Sequence, residues 1–141
     1  MTQATSLGGV FFVAAELSMR EYTALLTTRN TKAVDIIALN NNSLRSIGIQ
    51  VKTNAPTSPH NGWLVSKKDK DMPAQASKNL VYVFVNLDRE MKPSFYIAPG
   101  GVVQKLVREL KRSTGNIWYW VSRADLDDFK DNWDVVRSVT E

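Results

Sequence analysis

Two apolar runs in this chain carry polar residues where a buried strand has no use for them. Val34-Asp35-Ile36-Ile37-Ala38-Leu39 is interrupted by one carboxylate. Ile47-Gly48-Ile49-Gln50-Val51-Lys52 follows after a short polar turn. Along a strand the period is two, so Gln50 and Lys52 point to one face while Ile47, Ile49 and Val51 point to the other. Asp and Lys are almost never fully buried unless paired or bound to something. A carboxylate, an amide and an ammonium converging from neighbouring strands suggest a metal and phosphate site more than a requirement of folding.

The rest of the chain is consistent with an ordinary globular protein. At 141 residues, 43% hydrophobic and 23% charged, it is read as one domain, residues 1–141, with enough apolar surface for a core. With no cysteine, disulfides, a Cys-ligated zinc site and thiol catalysis are excluded. No run approaches the roughly 18 apolar residues of a membrane span. Val10 to Ala15 is too short, and has no preceding basic segment, for a signal peptide, so a cytoplasmic location is expected. The net charge of +4 favours a polyanionic partner.

Residues 1–6 are polar and expected to fray. A helix is expected from Ser6 or Gly8 to Arg20, with Phe12, Ala15, Glu16 and Met19 at helical spacing, which places Glu16 on or beside the apolar face. Tyr22 to Thr28 reads as a strand. Strands at about 33–40 and 45–54, joined by Asn40-Asn41-Asn42-Ser43, read as an antiparallel hairpin. Between about 55 and 79 the pattern weakens to a long loop with a short strand and one helical turn. Leu80–Leu87 and Ser94–Ala98 are strands. Pro99-Gly100-Gly101 opens a helix with Val103, Leu106, Val107 and Leu110 on one face and Gly115 as its stop. Ile117 to Val121 is extended, and Ser122 to Asp134 is expected as a last helix with Phe129 and Trp133 packing inward. The order implies an α/β fold with a mixed sheet flanked by helices. No G-x-G-x-x-G or Walker loop occurs, so no nucleotide cofactor is expected.

Helix with an inward Glu, strand, Asp at the start of a second strand, then Gln/Glu-x-Lys on a third resembles the PD-(D/E)XK, or restriction-endonuclease-like, nucleases. The small basic layout is similar to the Holliday-junction resolvases among them. The resemblance covers Gly8 to Thr53 and matches Asp35, Gln50, Lys52 and Glu16 to that family's motif. It implies a metal-dependent endonuclease acting on DNA, including branched DNA, and a two-fold dimer, to which Trp118 and Trp120 could contribute. Gln50 departs from the more usual Glu, and Val34 from the Pro that often precedes the Asp.

The chemistry can be stated from the residues. Asp35 and Glu16 offer hard oxygen ligands for Mg²⁺ or Mn²⁺, Gln50 adds an amide oxygen, and Val51 a main-chain carbonyl. Lys52 supplies a point cation beside a phosphate. Arg29, Lys32, Lys67, Lys68 and Lys70 are candidates for contacts to the nucleic-acid backbone. Trp63 is a stacking or core residue, and His60 a solvent-facing loop residue. Three other readings stand beside this one. Asp35 and Lys52 can be a plain structural ion pair. The chain can also be a non-catalytic binding module on the same fold, such as an immunity or defence-system protein, or a small interaction domain with no nucleic-acid role.

Overall fold

The computed structural model describes residues 2–28, 34–56 and 61–141. Its centre is Leu80–Leu87 (β5), the run Leu-Val-Tyr-Val-Phe-Val-Asn-Leu, in which all but Asn86 are buried. A strand can be apolar on both sides only if both sheet faces are covered. Val81, Val83, Val85 and Leu87 point into one core, and Leu80, Tyr82 and Phe84 into a second.

The sheet around it is mixed. Tyr22–Leu26 (β1), Ile36–Asn40 (β2) and Ser46–Asn54 (β3) form an antiparallel meander. β3 then runs parallel to β5, and β5 pairs antiparallel with Pro93–Pro99 (β6), giving the order β1-β2-β3-β5-β6. The fold is therefore mixed α/β, a five-stranded sheet flanked by helices, as the sequence implies. The first core is closed by Gln3–Met19 (α1) and Asp134–Thr140 (α5), through Val13, Leu17, Trp133 and Val136. The second is closed by Gly100–Leu106 (α4), a 3-10 helix at Ala124–Phe129, and a small antiparallel sheet.

That small sheet contains the main departures from expectation. Parallel pairing of β3 with β5 requires a crossover, and the stretch expected as a long loop supplies it with Gly62–Val65 (β4), Lys67–Lys70 (α2) and Ala74–Ser77 (α3). The helix expected to run to Gly115 stops at Leu106. Arg108–Lys111 continues as β7, which pairs with Ile117–Ser122 (β8), and β8 pairs with β4. Val107, Leu110 and their charged neighbours suit either period, and the partner strand decides between them. Gly115, with φ +87°, shapes the turn between β7 and β8 instead of capping a helix. The expected last helix is also divided. Asp131 takes a positive φ of 53°, so Phe129 packs beside the second core while Trp133 enters the first.

α1 begins at Gln3, earlier than expected, because the Thr2 hydroxyl caps it by accepting from the Thr5 N–H at 3.2 Å. Its buried face is Gly9, Val13, Ala14 and Leu17, not the expected set. Phe12 is 37% and Met19 72% exposed. Apolar residues surround most of this helix, so spacing alone does not select the face. Trp63 is a core residue: it is 1% exposed, and its indole N–H donates to the Val85 carbonyl at 3.0 Å. No helix among the described residues is long and apolar enough to cross a membrane.

α1 lies tightly on β3 at one point. A Cβ at Gly9 would overlap the hydroxyl of buried Thr53, whereas one at neighbouring Gly8 would meet nothing within 4 Å. Gly8→Ala should therefore stabilise the fold by about 0.5–1 kcal/mol through helix propensity. Gly9→Ala should destabilise it by about 1–3 kcal/mol through overpacking. Chemical denaturation of both variants checks this, and equal gains would contradict the close approach.

Candidate active site at the parting of β2 and β3

β2 pairs with β3 only from Ile36–Leu39 against Ser46–Ile49. Beyond Ile49, no described strand pairs with that edge of β3, and Asp35 takes the place of one. Its N–H donates to the Ile49 carbonyl at 2.8 Å, and its carboxylate Oδ2 accepts the Val51 N–H at 2.8 Å. In an extended strand the N–H and C=O of one residue face the same side, so the Val51 carbonyl also points to this opening.

The opening is a cleft of about 300 Å³ lined by Gln3, Ser6, Leu7 and Val10 of α1 and by Asp35, Gln50 and Val51. Burial raises the Asp35 carboxyl above the ordinary carboxylate range; the Val51 N–H and the Lys52 ammonium pull it back only in part. The residues gathered here can offer one carboxylate, one amide oxygen and one main-chain carbonyl. All are hard oxygens of the kind Mg²⁺ and Mn²⁺ accept when water and phosphate complete the shell. Among the described residues there is no cluster of three or more His, Cys, Asp or Glu side chains placed to hold a metal.

Lys52 lies two residues beyond Gln50 and is fixed from outside the motif. Its ammonium is 3.2 Å from Oδ2 of Asp69, a residue of α2 that is 7% exposed. Asp69 also accepts from the Tyr82 hydroxyl at 2.6 Å, the Ser66 N–H at 2.7 Å and the Ser66 hydroxyl at 2.9 Å. Burial alone would raise the Asp69 pKa. The Lys52 charge and the three donated hydrogen bonds outweigh it and hold the carboxyl below its ordinary value. The Tyr82 phenol is pushed up by burial and by that same carboxylate. The ion pair of Lys52 is thus with Asp69, and Asp35 feels its charge without being its partner.

The expected site residues fare differently. Asp35, Gln50 and Val51 line one cleft, and Lys52 stands beside them. Glu16 does not join them, contrary to expectation. The first turns of α1 line the cleft, whereas Glu16 lies near the far end of that helix and pairs with Arg20. Lys67, Lys68 and Lys70 sit on α2, where Lys67 pairs with Asp71 and Lys70 with Glu109. Arg29, Lys32 and His60 lie outside the described residues. The charged run at 67–70 is not merely a solvated turn, because Asp69 is buried. Its signal was present: Ser66-x-x-Asp69 is a capping-box spacing, and both capping bonds form. The lining contributed by Gln3, Ser6, Leu7 and Val10 carried no recognisable signal.

No protein-family model matches the chain, and no curated protein matches its sequence. Among solved structures, the fold is similar to that of a bacterial homing endonuclease, I-Ssp6803I. The TM-score is 0.57 at 12% sequence identity, covering 96% of this chain and 91% of that one. The chain therefore has a nuclease-like fold, and at this identity the likeness extends to the fold alone.

Asp69→Asn should lower stability at neutral pH by about 1–3 kcal/mol, because it removes a charge-assisted pair. The Asp69 pKa is depressed on folding, so its contribution is complete above the ordinary value of 3.8 and is lost as pH falls through the lower folded value. Denaturation measured from neutral pH into acid should show the wild-type advantage closing. A gap that stays constant would deny the ionised pair.

Proposed function

We propose that this protein is a metal-dependent endonuclease of the PD-(D/E)XK type, hydrolysing DNA phosphodiester bonds at the cleft where β2 and β3 part. The observation that carries this reading is the convergence of Asp35, Gln50 and Val51 on one cleft, with Lys52 pinned alongside by Asp69. The Asp35…Gln50-x-Lys52 spacing and the nuclease-like fold support it.

Asp35, Gln50 and the Val51 carbonyl would hold Mg²⁺ or Mn²⁺. Such an ion neutralises phosphate charge and acidifies water near neutral pH. The Val51 N–H fixes one oxygen of Asp35 and leaves the other for the ion or its water. Lys52 stabilises negative charge as it develops on the phosphate. Because Asp69 holds the ammonium before substrate arrives, little reorganisation is needed. Lys67 and Lys68 on α2, together with Arg29 and Lys32, would contribute backbone phosphate contacts.

One observation favours the non-catalytic alternative: with Glu16 turned away, Asp35 is the sole carboxylate lining the cleft among the described residues. Incubation with branched and linear DNA plus Mg²⁺ or Mn²⁺ separates the two. Cleavage by the wild type should be abolished in Asp35→Ala and reduced about 10²–10³-fold in Lys52→Ala, while DNA binding in EDTA survives in both. Gln50→Glu should retain activity or tighten metal binding. Wild-type cleavage by Asp35→Ala would place any activity elsewhere. Inactivity in every metal, combined with tight binding to a protein partner, would establish the module instead.

A further inference from the structure

The small sheet β4-β8-β7 has one buried face and one exposed face, and the exposed one has an unusual composition. Trp63 and Val121 point inward and are 1% and 0% exposed. On the other face Leu64 stands opposite Trp120, Trp120 opposite Arg108, and Trp118 opposite Leu110. Leu64 and Leu110 are each 55% exposed. The solvated face of an antiparallel sheet is usually polar, and exposed apolar residues gathered with polar ones mark an interaction site.

Three features narrow the partner. First, the indoles of Trp118 and Trp120, with Leu64 and Leu110, line a cleft of about 270 Å³ with a mainly apolar lining. Second, the charge around it is positive. Arg112 lies 4.1 Å over the Trp118 ring and Arg108 5.5 Å over that of Trp120, and Arg123 donates to Asn61 at the edge of the cleft. Arg108 is tied to Asp125 at 2.8 Å, while Arg112 makes no ion pair with any described residue. Third, the sheet is tied through α2, on its other face, to the lysine beside the Asp35 cleft: Lys70 pairs with Glu109 and lies 5.9 Å from the Tyr119 ring, and the preceding residue, Asp69, holds Lys52.

We infer that this face is a docking platform for single-stranded nucleic acid, with an unpaired base entering the Trp118–Trp120 cleft and its phosphates meeting Arg112 and Arg108. Aromatic faces accept any base by stacking, and arginines follow the backbone. A duplex shows a flat sheet mainly phosphate and sugar, which leaves an apolar cleft unfilled. A second copy of the chain, the dimer contact expected for Trp118 and Trp120 from the sequence, would bring two cationic faces together, and like charges opposed across an interface disfavour it. The inference extends the nuclease reading by naming a feature of the substrate: strands that are open or branched near the cut.

Binding of fluorescent oligothymidine and of a duplex of equal length, both in EDTA, tests it by anisotropy. The wild type should prefer the single strand and show quenched tryptophan emission. Trp118→Ala with Trp120→Ala should weaken single-strand binding by tenfold or more. Arg112→Gln, a surface change that spares the fold if the tryptophan pair does not, should lower the slope of log K against log salt by about one. Binding read in EDTA is independent of cleavage, so a failure here and a failure of the catalytic reading are distinct results. Three results would each overturn the inference: equal affinity for both nucleic acids with no effect of these variants, a dimer in light scattering that the tryptophan pair dissolves, or preferential binding of an acidic peptide.

Discussion

The hydrogen bond from the Val51 N–H to the Asp35 carboxylate stands where a strand partner would otherwise be. A buried main-chain donor left unpaired costs free energy comparable to a lost hydrogen bond, and the parting of β2 from β3 exposes that liability at the centre of the sheet. Asp35 resolves it with a side chain. The same choice brings Asp35, Gln50 and Val51 to one opening and forces Asp35 into partial burial. Its raised pKa and its place in the cleft thus have one origin, the end of the β2–β3 ladder.

The second requirement is a cation held beside that opening. Lys52 extends from a half-buried position on β3 with a side chain that has many rotamers. The α2 turn closes over it with Asp69. Burying Asp69 would be unfavourable without compensation. Its partners come from three places: Lys52 on β3, Tyr82 on β5, and Ser66 at the helix cap. The short crossover after β4 thus locks to the sheet through one carboxylate. It also carries Lys70 to the small sheet, where it meets Glu109 and the Tyr119 ring.

Much of this was legible in the sequence. The apolar runs of β2, β3 and β5 give strands because both faces or alternate faces are covered, and the asparagine-rich turn gives the hairpin. Asp35, Gln50 and Lys52 stood out because a polar residue inside an apolar strand is anomalous, and Val51 because its main-chain carbonyl lies between two of them. The failures have physical causes. Glu16 sits on a helix with apolar residues nearly all round, so its direction depended on where α1 crosses β3, which Gly9 and Thr53 determine. The β7 segment has a helix-friendly composition and becomes a strand only because β8 is there to pair with it. Asp69 was hidden among lysines, and only its spacing from Ser66 betrayed it.

The central claim is that Asp35, by ending the ladder, creates a divalent-cation site with Gln50 and Val51. Paramagnetic broadening of backbone amide signals by substoichiometric Mn²⁺ tests it directly. The account predicts broadening centred on Asp35, Gln50, Val51 and the first turns of α1, absent in a folded Asp35→Asn variant. Broadening centred on Glu16 or on the Asp125–Asp128 turn, or a pattern unchanged by that substitution, would contradict it.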